Sequence, residues 1–273
     1  MSAYDIKQVV LCADDYALNA PVSQGIVALA VLGRLSATSV MSLSPRWAED
    51  AVALRDVRER LDVGVHLDWT SEFAKATGHG ASLNTVMARA ALRGYAQQAL
   101  RAQMHHQFDL FEAQWQAVPD HVDGHQHIQQ FPCFREALAE VLLKRYGSEV
   151  QKPWIRISDV AQPGVKARVI SAMGATGLDR WAQAATWPRL GPLLGAYGFD
   201  GTVETYAKSM QSWLSQLPSH KVAVIMCHPA VSAQADDEIG PARKREFAYL
   251  AGHDFVQHLV DAGVQLVRGS GQA

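Results

Sequence analysis

Short, almost wholly apolar runs recur along this chain, and each is followed by a longer amphipathic stretch. VVLCA at 9–13, VGVHL at 63–67 and VAVIMC at 222–227 are the clearest. A strand that is apolar on both faces must be covered on both, which is the situation of a parallel strand inside an α/β protein. The predicted strands are Val9–Ala13, Ala37–Ser42, Val63–Leu67, His121–Asp123, Trp154–Ile157, Val222–Cys227 and Val264–Val267, with an eighth placed near Tyr197–Gly201. Helices are predicted at about 21–33, 47–60, 84–117, 134–146, 166–175, 203–217 and 242–262. The most regular lies within 95–117, where Leu100, Met104, Phe108, Phe111 and Trp115 recur at helical spacing. Gly33 and Gly263 stand where helix C-terminal caps belong. Repeated strand–helix units with right-handed crossovers leave two architectures, a (β/α) barrel and an open doubly wound sheet.

At 273 residues and 48% apolar, the chain has enough material for one large core. No shift in composition divides it, so residues 1–273 are read as a single domain. The stretch 177–201, rich in Gly, Pro and Trp, reads as a loop insertion. Twenty-five basic against 27 acidic residues give a net charge of −2 without a basic stripe. Nucleic acid and anionic membranes are thereby poor partners. Three cysteines form no CxxC pair, the N-terminus has no signal-peptide pattern, and the longest apolar stretch, Ile26 to Leu32, is far too short for a membrane span. These features describe a reduced, cytoplasmic protein with no membrane span.

Acid and imidazole groups collect where the predicted strands end. The first strand runs into Asp14 and Asp15, the third carries His66, the fourth reads HVDGHQH, and the late strand ends at His228. The C-terminal ends of parallel strands form the rim on which α/β active sites assemble. Adjacent carboxylates beside an apolar strand repel each other unless a cation lies between them. Period-two spacing would put His121, Asp123, His125 and His127 on one face, although Gly124 interrupts the strand. His105 and His106 lie off the apolar stripe of their helix and read as a solvated face. Cys227, next to His228, reads as a buried thiol rather than a nucleophile. One carboxylate, Asp14 or Asp15, with two imidazoles from other strands makes a three-ligand divalent metal site with open positions, the arrangement of catalytic metals. The second carboxylate can serve as a base and a further histidine as an acid, which is the chemistry of metal-assisted hydrolysis.

The segments CADDYALNAPVSQGIVALAVLGRLSATSVM, VGVHLDWT, HVDGHQHIQQFP and VAVIMCHPA resemble, in order and spacing, the YdjC-like carbohydrate deacetylases, which include chitooligosaccharide deacetylases. The resemblance runs from about residue 8 to 267. It implies a distorted (β/α) TIM-like barrel with a mostly parallel sheet, related to the polysaccharide deacetylases. It also implies removal of acetyl groups from N-acetylated amino sugars, with an oligosaccharide or small-molecule substrate, and a homodimer. By the same resemblance Asp15, His66 and His125 hold one divalent ion, Mg²⁺ or Zn²⁺ with Mn²⁺ and Co²⁺ compatible. Asp14 becomes the general base and His228 the general acid. His127 lies beside the site, and Arg156 orients a site carboxylate. Trp69, Trp181 and Trp187 are candidate sugar-stacking platforms.

Three positions depart from the family pattern: Ala17 replaces a glycine, Asp68 an asparagine, and Gln129 a histidine. None is a proposed ligand. Other readings of the same residues are a non-haem iron oxygenase, a metal phosphoesterase, a hydrolase of a non-sugar amide, and a sugar-binding or regulatory protein without turnover. The adjacent second carboxylate and the α/β pattern argue against the oxygenase. The ligand count for a single metal argues against the phosphoesterase.

Overall fold

The computed structural model describes residues 6–159 and 174–272. Strands β1 (Lys7–Tyr16), β2 (Ala37–Val40), β3 (Asp62–Leu67), β4 (His121–Gly124), β5 (Trp154–Arg156), β6 (Arg189–Leu190), β7 (Leu193–Leu194), β8 (Ala223–Cys227) and β9 (Val264–Leu266) form one sheet. Its order is β6-β5-β4-β3-β2-β1-β8-β7, with β9 also paired to β1, and every pairing is parallel. β6 and β7 lie at opposite edges of this order, yet only Gly191 and Pro192 separate them in the chain. Three residue steps span at most about 11 Å. The sheet must therefore curl until its two edges nearly meet, giving a distorted (β/α) barrel. The Leu193 amide reinforces this closure by donating to the Asp159 carbonyl at 3.0 Å.

Helices α1 (Ala20–Val31), α2 (Trp47–Arg55), α3 (Glu72–Ala76), α4 (Leu83–Ala91), α5 (Gln97–Trp115), α6 (Phe134–Tyr146), α7 (Thr176–Ala184), α8 (Val203–Ser215), α9 (Gly240–Ala251) and α10 (His253–Asp261) accompany the strands. The alternation of the strands sorts their side chains into two cores. Val9, Leu11 and Ala13 of β1 join the large cluster beneath the helices, which also takes the whole α5 stripe of Leu100, Met104, Phe108, Phe111 and Trp115. Val10 and Cys12 join a smaller cluster with Ala37, Trp154, Leu190, Leu193, Val224 and Met226, which fills the barrel interior. Gly33 and Gly263 both adopt φ near +60°, the left-handed conformation expected of helix caps.

Four expectations are corrected. No strand forms at 197–201; β6 and β7 take that place instead, and two-residue strands carry too little sequence to show a period. The supposed loop 177–201 contains most of α7 and both of these strands. The long helix 84–117 is broken between α4 and α5 near Gly94, where Arg93 has φ +53°. The helix 242–262 is divided at Gly252, whose extended backbone ends α9 and begins α10. The predicted helix 166–175 falls almost wholly outside the described residues. Among the described residues, no helix is long and apolar enough to cross a membrane.

Candidate active site

The two adjacent aspartates would point to opposite faces of a regular strand. They do not, because β1 carries a bulge. Ala13 pairs with Thr38 and Tyr16 with Val40, so three steps on β1 match two on β2. Asp15 takes up the extra residue at φ +70°. A side chain in this left-handed region is strained by about 1–3 kcal/mol, and such strain collects at functional sites. Asp14 keeps the inward parity of Val10 and Cys12, while Asp15 is turned to the rim beside it. The turn that follows keeps a left-handed residue at Ala17 (φ +71°) even without the glycine expected there. Both polar groups of Ala17 are pinned: its amide donates to Ser23 Oγ at 3.1 Å, and its carbonyl accepts from Ser44 Oγ at 2.6 Å.

Asp14 and Asp15 have different partners. Arg156 of β5 grips Asp14 with both terminal nitrogens, NH1 to Oδ1 at 2.6 Å and NH2 to Oδ2 at 2.9 Å. Its NH1 also lies 3.0 Å from Asp123 Oδ2. Burial pushes the Asp14 carboxyl up, but Arg156 and then His66 outweigh it and hold it below the usual carboxylate range. Asp15 Oδ1 receives His125 Nδ1 at 3.0 Å and faces His66 Nε2 at 3.4 Å. Its Oδ2 accepts from Arg243 of α9 at 2.7 Å. Burial again raises this carboxyl, and Arg243 followed by His125 more than reverses it, to well below the ordinary value.

His66 stands between two carboxylates. Its Nδ1 donates to Asp123 Oδ1 at 2.5 Å, which turns Nε2 toward Asp15. Burial lowers the His66 pKa, but Asp123 leads the groups that push it up to about 10. Asp123 is held in turn by Ser39 Oγ at 2.6 Å. Below this layer His121 stacks on Trp154 with ring centroids 4.4 Å apart. Only a glycine at 64 leaves room for that ring, since a Cβ there would lie 2.4 Å from it.

His228 follows β8, and its Nε2 lies 4.0 Å from Asp14 Oδ2. Its amide donates to Glu246 of α9 at 2.5 Å, and its ring meets Phe199 edge-on at 5.3 Å. His127 sits in the 3₁₀ turn after β4 at φ +63°, with Nδ1 3.2 Å from Ser158 Oγ. Burial first and Arg156 second lower its pKa to about 3, so it is neutral. Gln129, in place of a histidine, donates to the Arg156 carbonyl at 3.2 Å and to Ser158 Oγ at 3.1 Å, and so braces the end of β5. Asp68 accepts the Thr70 and Ser71 amides at 3.0 and 2.9 Å and closes the turn after β3. Cys227 is buried, and burial pushes its thiol well above the ordinary range.

Trp69 does not present a face to a substrate. It is only 2% exposed and packs edge-on against His79 and Phe134. Trp187 is buried too, with Nε1 donating to the Pro153 carbonyl. Aromatic rings on loops of this size are needed for packing, and that demand prevails here.

Among the described residues three groups bring metal-binding atoms within 4.8 Å of one another: Asp15, His66 and His125; Asp14, His66 and Asp123; and Cys12, His121 and Asp123. In the last two, Asp14 and Asp123 already receive Arg156, and Asp123 also receives Ser39 and His66. A guanidinium among the ligands opposes a second cation. In the first group Asp15 Oδ1 faces two imidazoles, and its guanidinium partner Arg243 is confined to the other oxygen, away from them. The donor set of one carboxylate and two imidazoles suits a divalent ion, and the Asp123 tie on His66 is the usual support of a ligating histidine. Arg243 and Glu246 have no counterpart in the sequence reading. Both come from the charged helix segment ARKREF, which looks like a solvated surface.

A model of the YdjC-like protein family matches residues 8–261. No curated protein matches the chain. A solved protein from Enterococcus faecalis, provisionally assigned to cellobiose-phosphate cleavage, superposes with a TM-score of 0.73 at 18% identity, covering 97% of this chain and 98% of that one. A Streptococcus mutans CE4 esterase superposes at 0.53 with 12% identity, covering 96% and 86%. The catalytic domain of a peptidoglycan N-acetylglucosamine deacetylase from Eubacterium rectale gives 0.50 with 13% identity, covering 96% and 88%. At these identities the likeness is one of fold.

Proposed function

Since the chain belongs to the YdjC-like family, we propose that it is a metal-dependent hydrolase that removes the acetyl group from an N-acetylated amino sugar, carried by an oligosaccharide or a glycoconjugate. The observation that carries this reading is the convergence of Asp15, His66 and His125 on one point, with Asp14 and His228 beside it. Two fold neighbours, a peptidoglycan N-acetylglucosamine deacetylase and a CE4 esterase, support the acyl-transfer chemistry and the sugar substrate.

Asp15, His66 and His125 would hold the divalent ion, Mg²⁺ or Zn²⁺. When bound, such an ion supplies Lewis acidity to the acyl oxygen and lowers the pKa of a water. Asp14 is ionised and fixed by Arg156 with both oxygens engaged, so its lone pairs are oriented before substrate arrives. It takes the proton of the attacking water. His228, across from Asp14, donates a proton to the departing amine nitrogen, and the Glu246 contact to its amide fixes the start of that turn. His127 is neutral and free to hydrogen-bond a sugar hydroxyl.

Acetate release from a panel of N-acetylated mono- and oligosaccharides tests this reading, using chelated enzyme and enzyme resupplied with Mg²⁺, Zn²⁺, Mn²⁺ or Co²⁺. Acetate that appears only with added metal is the expected result. Acetate release unaffected by chelation removes the metal from the mechanism, and silence across the panel removes the acetylated sugar.

A further inference from the structure

The Arg243 side chain is 3% exposed and reaches the rim from α9. It donates NH2 to Asp15 Oδ2 and Nε to Asp237 Oδ2, each at 2.7 Å. Its NH1 is buried and meets no acceptor among the described residues, so nothing competes with the two aspartates for its orientation. The Asp15 carboxylate is therefore divided. One oxygen faces the imidazoles of His66 and His125, and the other is taken by a planar guanidinium that is itself anchored. A charge-assisted contact of this length, out of water on both sides, is strong and directional.

We infer that Arg243, anchored by Asp237, is a positioning residue that restricts Asp15 to one free oxygen and thereby makes the site favour small divalent ions over Ca²⁺. This rests on the reading of Asp15 as a metal ligand. Ca²⁺ takes about six to eight oxygen ligands and readily uses both oxygens of a carboxylate, whereas Zn²⁺ is content with about four donors including imidazoles. Asp15 Oδ2 is the nearest second oxygen that the protein could offer, and Arg243 withholds it. A lysine at 243 keeps the charge but loses the planar fork, so it restores the restriction only in part.

Metal-free wild type, Arg243→Gln, Arg243→Lys and Asp237→Asn are titrated calorimetrically with Co²⁺ and with Ca²⁺, and the visible absorption of the Co²⁺ forms is recorded. The affinity ratio of Co²⁺ to Ca²⁺ is expected to fall by about tenfold or more in Arg243→Gln, the scale on which a ligand's supporting contacts act. Its Co²⁺ bands weaken as a further oxygen joins the ion. Arg243→Lys and Asp237→Asn fall between this variant and wild type. Because both affinities are measured on the same preparation, partial unfolding leaves the ratio unchanged. Equal ratios and spectra in all four proteins overturn the inference while leaving Asp15 a ligand. A wild type that binds neither ion overturns the metal reading, and the inference falls with it. If Arg243→Gln does not fold, Asp237→Asn decides, and an unchanged ratio there overturns the inference.

Discussion

Both ends of the barrel bury carboxylates among inward-facing strand residues, and they treat them in opposite ways. At the N-terminal end Asp62, at the start of β3, is fully enclosed. Its Oδ1 accepts Arg268 Nε at 3.0 Å and Ser270 Oγ at 2.6 Å, and its Oδ2 accepts Trp154 Nε1 at 3.0 Å and the Ser270 amide at 2.7 Å. Four donors saturate one carboxylate, and the chain supplies them all. The C-terminal rim gathers Asp14, Asp15 and Asp123 against Arg156, Arg243 and His66. It still leaves His228 Nδ1, Arg156 Nε and Arg243 NH1 buried without a partner among the described residues. The lower end is a closed electrostatic unit that serves stability. The upper end is incomplete in hydrogen bonding, as a surface awaiting ligands must be.

The largest expected effect breaks the comparison at the rim. Asp14→Asn lowers acetate release by about 10²–10⁴-fold while metal content stays near wild type, because an amide cannot take a proton; one Arg156 donor then faces the amide nitrogen, so the thermal midpoint falls as well. Asp15→Ala loses activity and bound metal together. Metal analysis beside the rate assay separates the two, and loss of metal in the first variant with retention in the second would reverse the roles of the adjacent aspartates.

The lower end should answer in stability alone. Asp62→Ala strands the Trp154 indole N–H and the Ser270 amide, and a loss of about 2–4 kcal/mol in urea unfolding is expected with the turnover of the folded fraction unchanged. A fall in turnover per folded molecule would show that the two ends are not independent.

A smaller effect sharpens the contrast through pH. Asp120, just before β4, has its pKa raised to about 6, by burial first and by Asp62 second. The folded chain holds this proton more tightly than the unfolded chain, whose value is near 3.8. The stability it contributes is present below pH 3.8 and is lost as pH rises through about 6. Asp120→Asn keeps an acceptor for the Val63 amide, and relative to wild type it gains up to about 3 kcal/mol well above pH 6 and nothing near pH 3.5. Unfolding midpoints across pH 3.5–8 measure the difference, and a constant offset would mean that Asp120 does not titrate in this range.

Much of this arrangement is legible in the sequence, for identifiable reasons. The buried strands reveal themselves because apolar runs such as VVLCA have no other use, and the α5 stripe is long enough to fix both period and face. Asp14, Asp15, His66, His125 and His228 stand out because polar groups at the ends of such strands break a strong pattern. What the sequence hides is set by distant contacts. Strand alternation alone would separate Asp14 from Asp15, and the bulge that unites them depends on the pairing of β1 with β2. Arg243 and Glu246 belong to a helix whose charged residues look solvated until the helix is seen to lean on the rim. Trp69 is an aromatic on a loop, and only packing distinguishes a buried prop from an exposed platform.

The two-residue link between β6 and β7 has a consequence beyond shape. A sheet is open to association where a strand leaves a row of unpaired amides and carbonyls, and the danger grows with the length of that row. Here the two margins of the main strand order are each only two residues long and are turned toward one another, β9 adds one margin of three residues, and proline, which has no amide hydrogen, stands in the link between β6 and β7. Along the described strands the barrel thus offers a foreign strand only rows of two or three residues on which to zip.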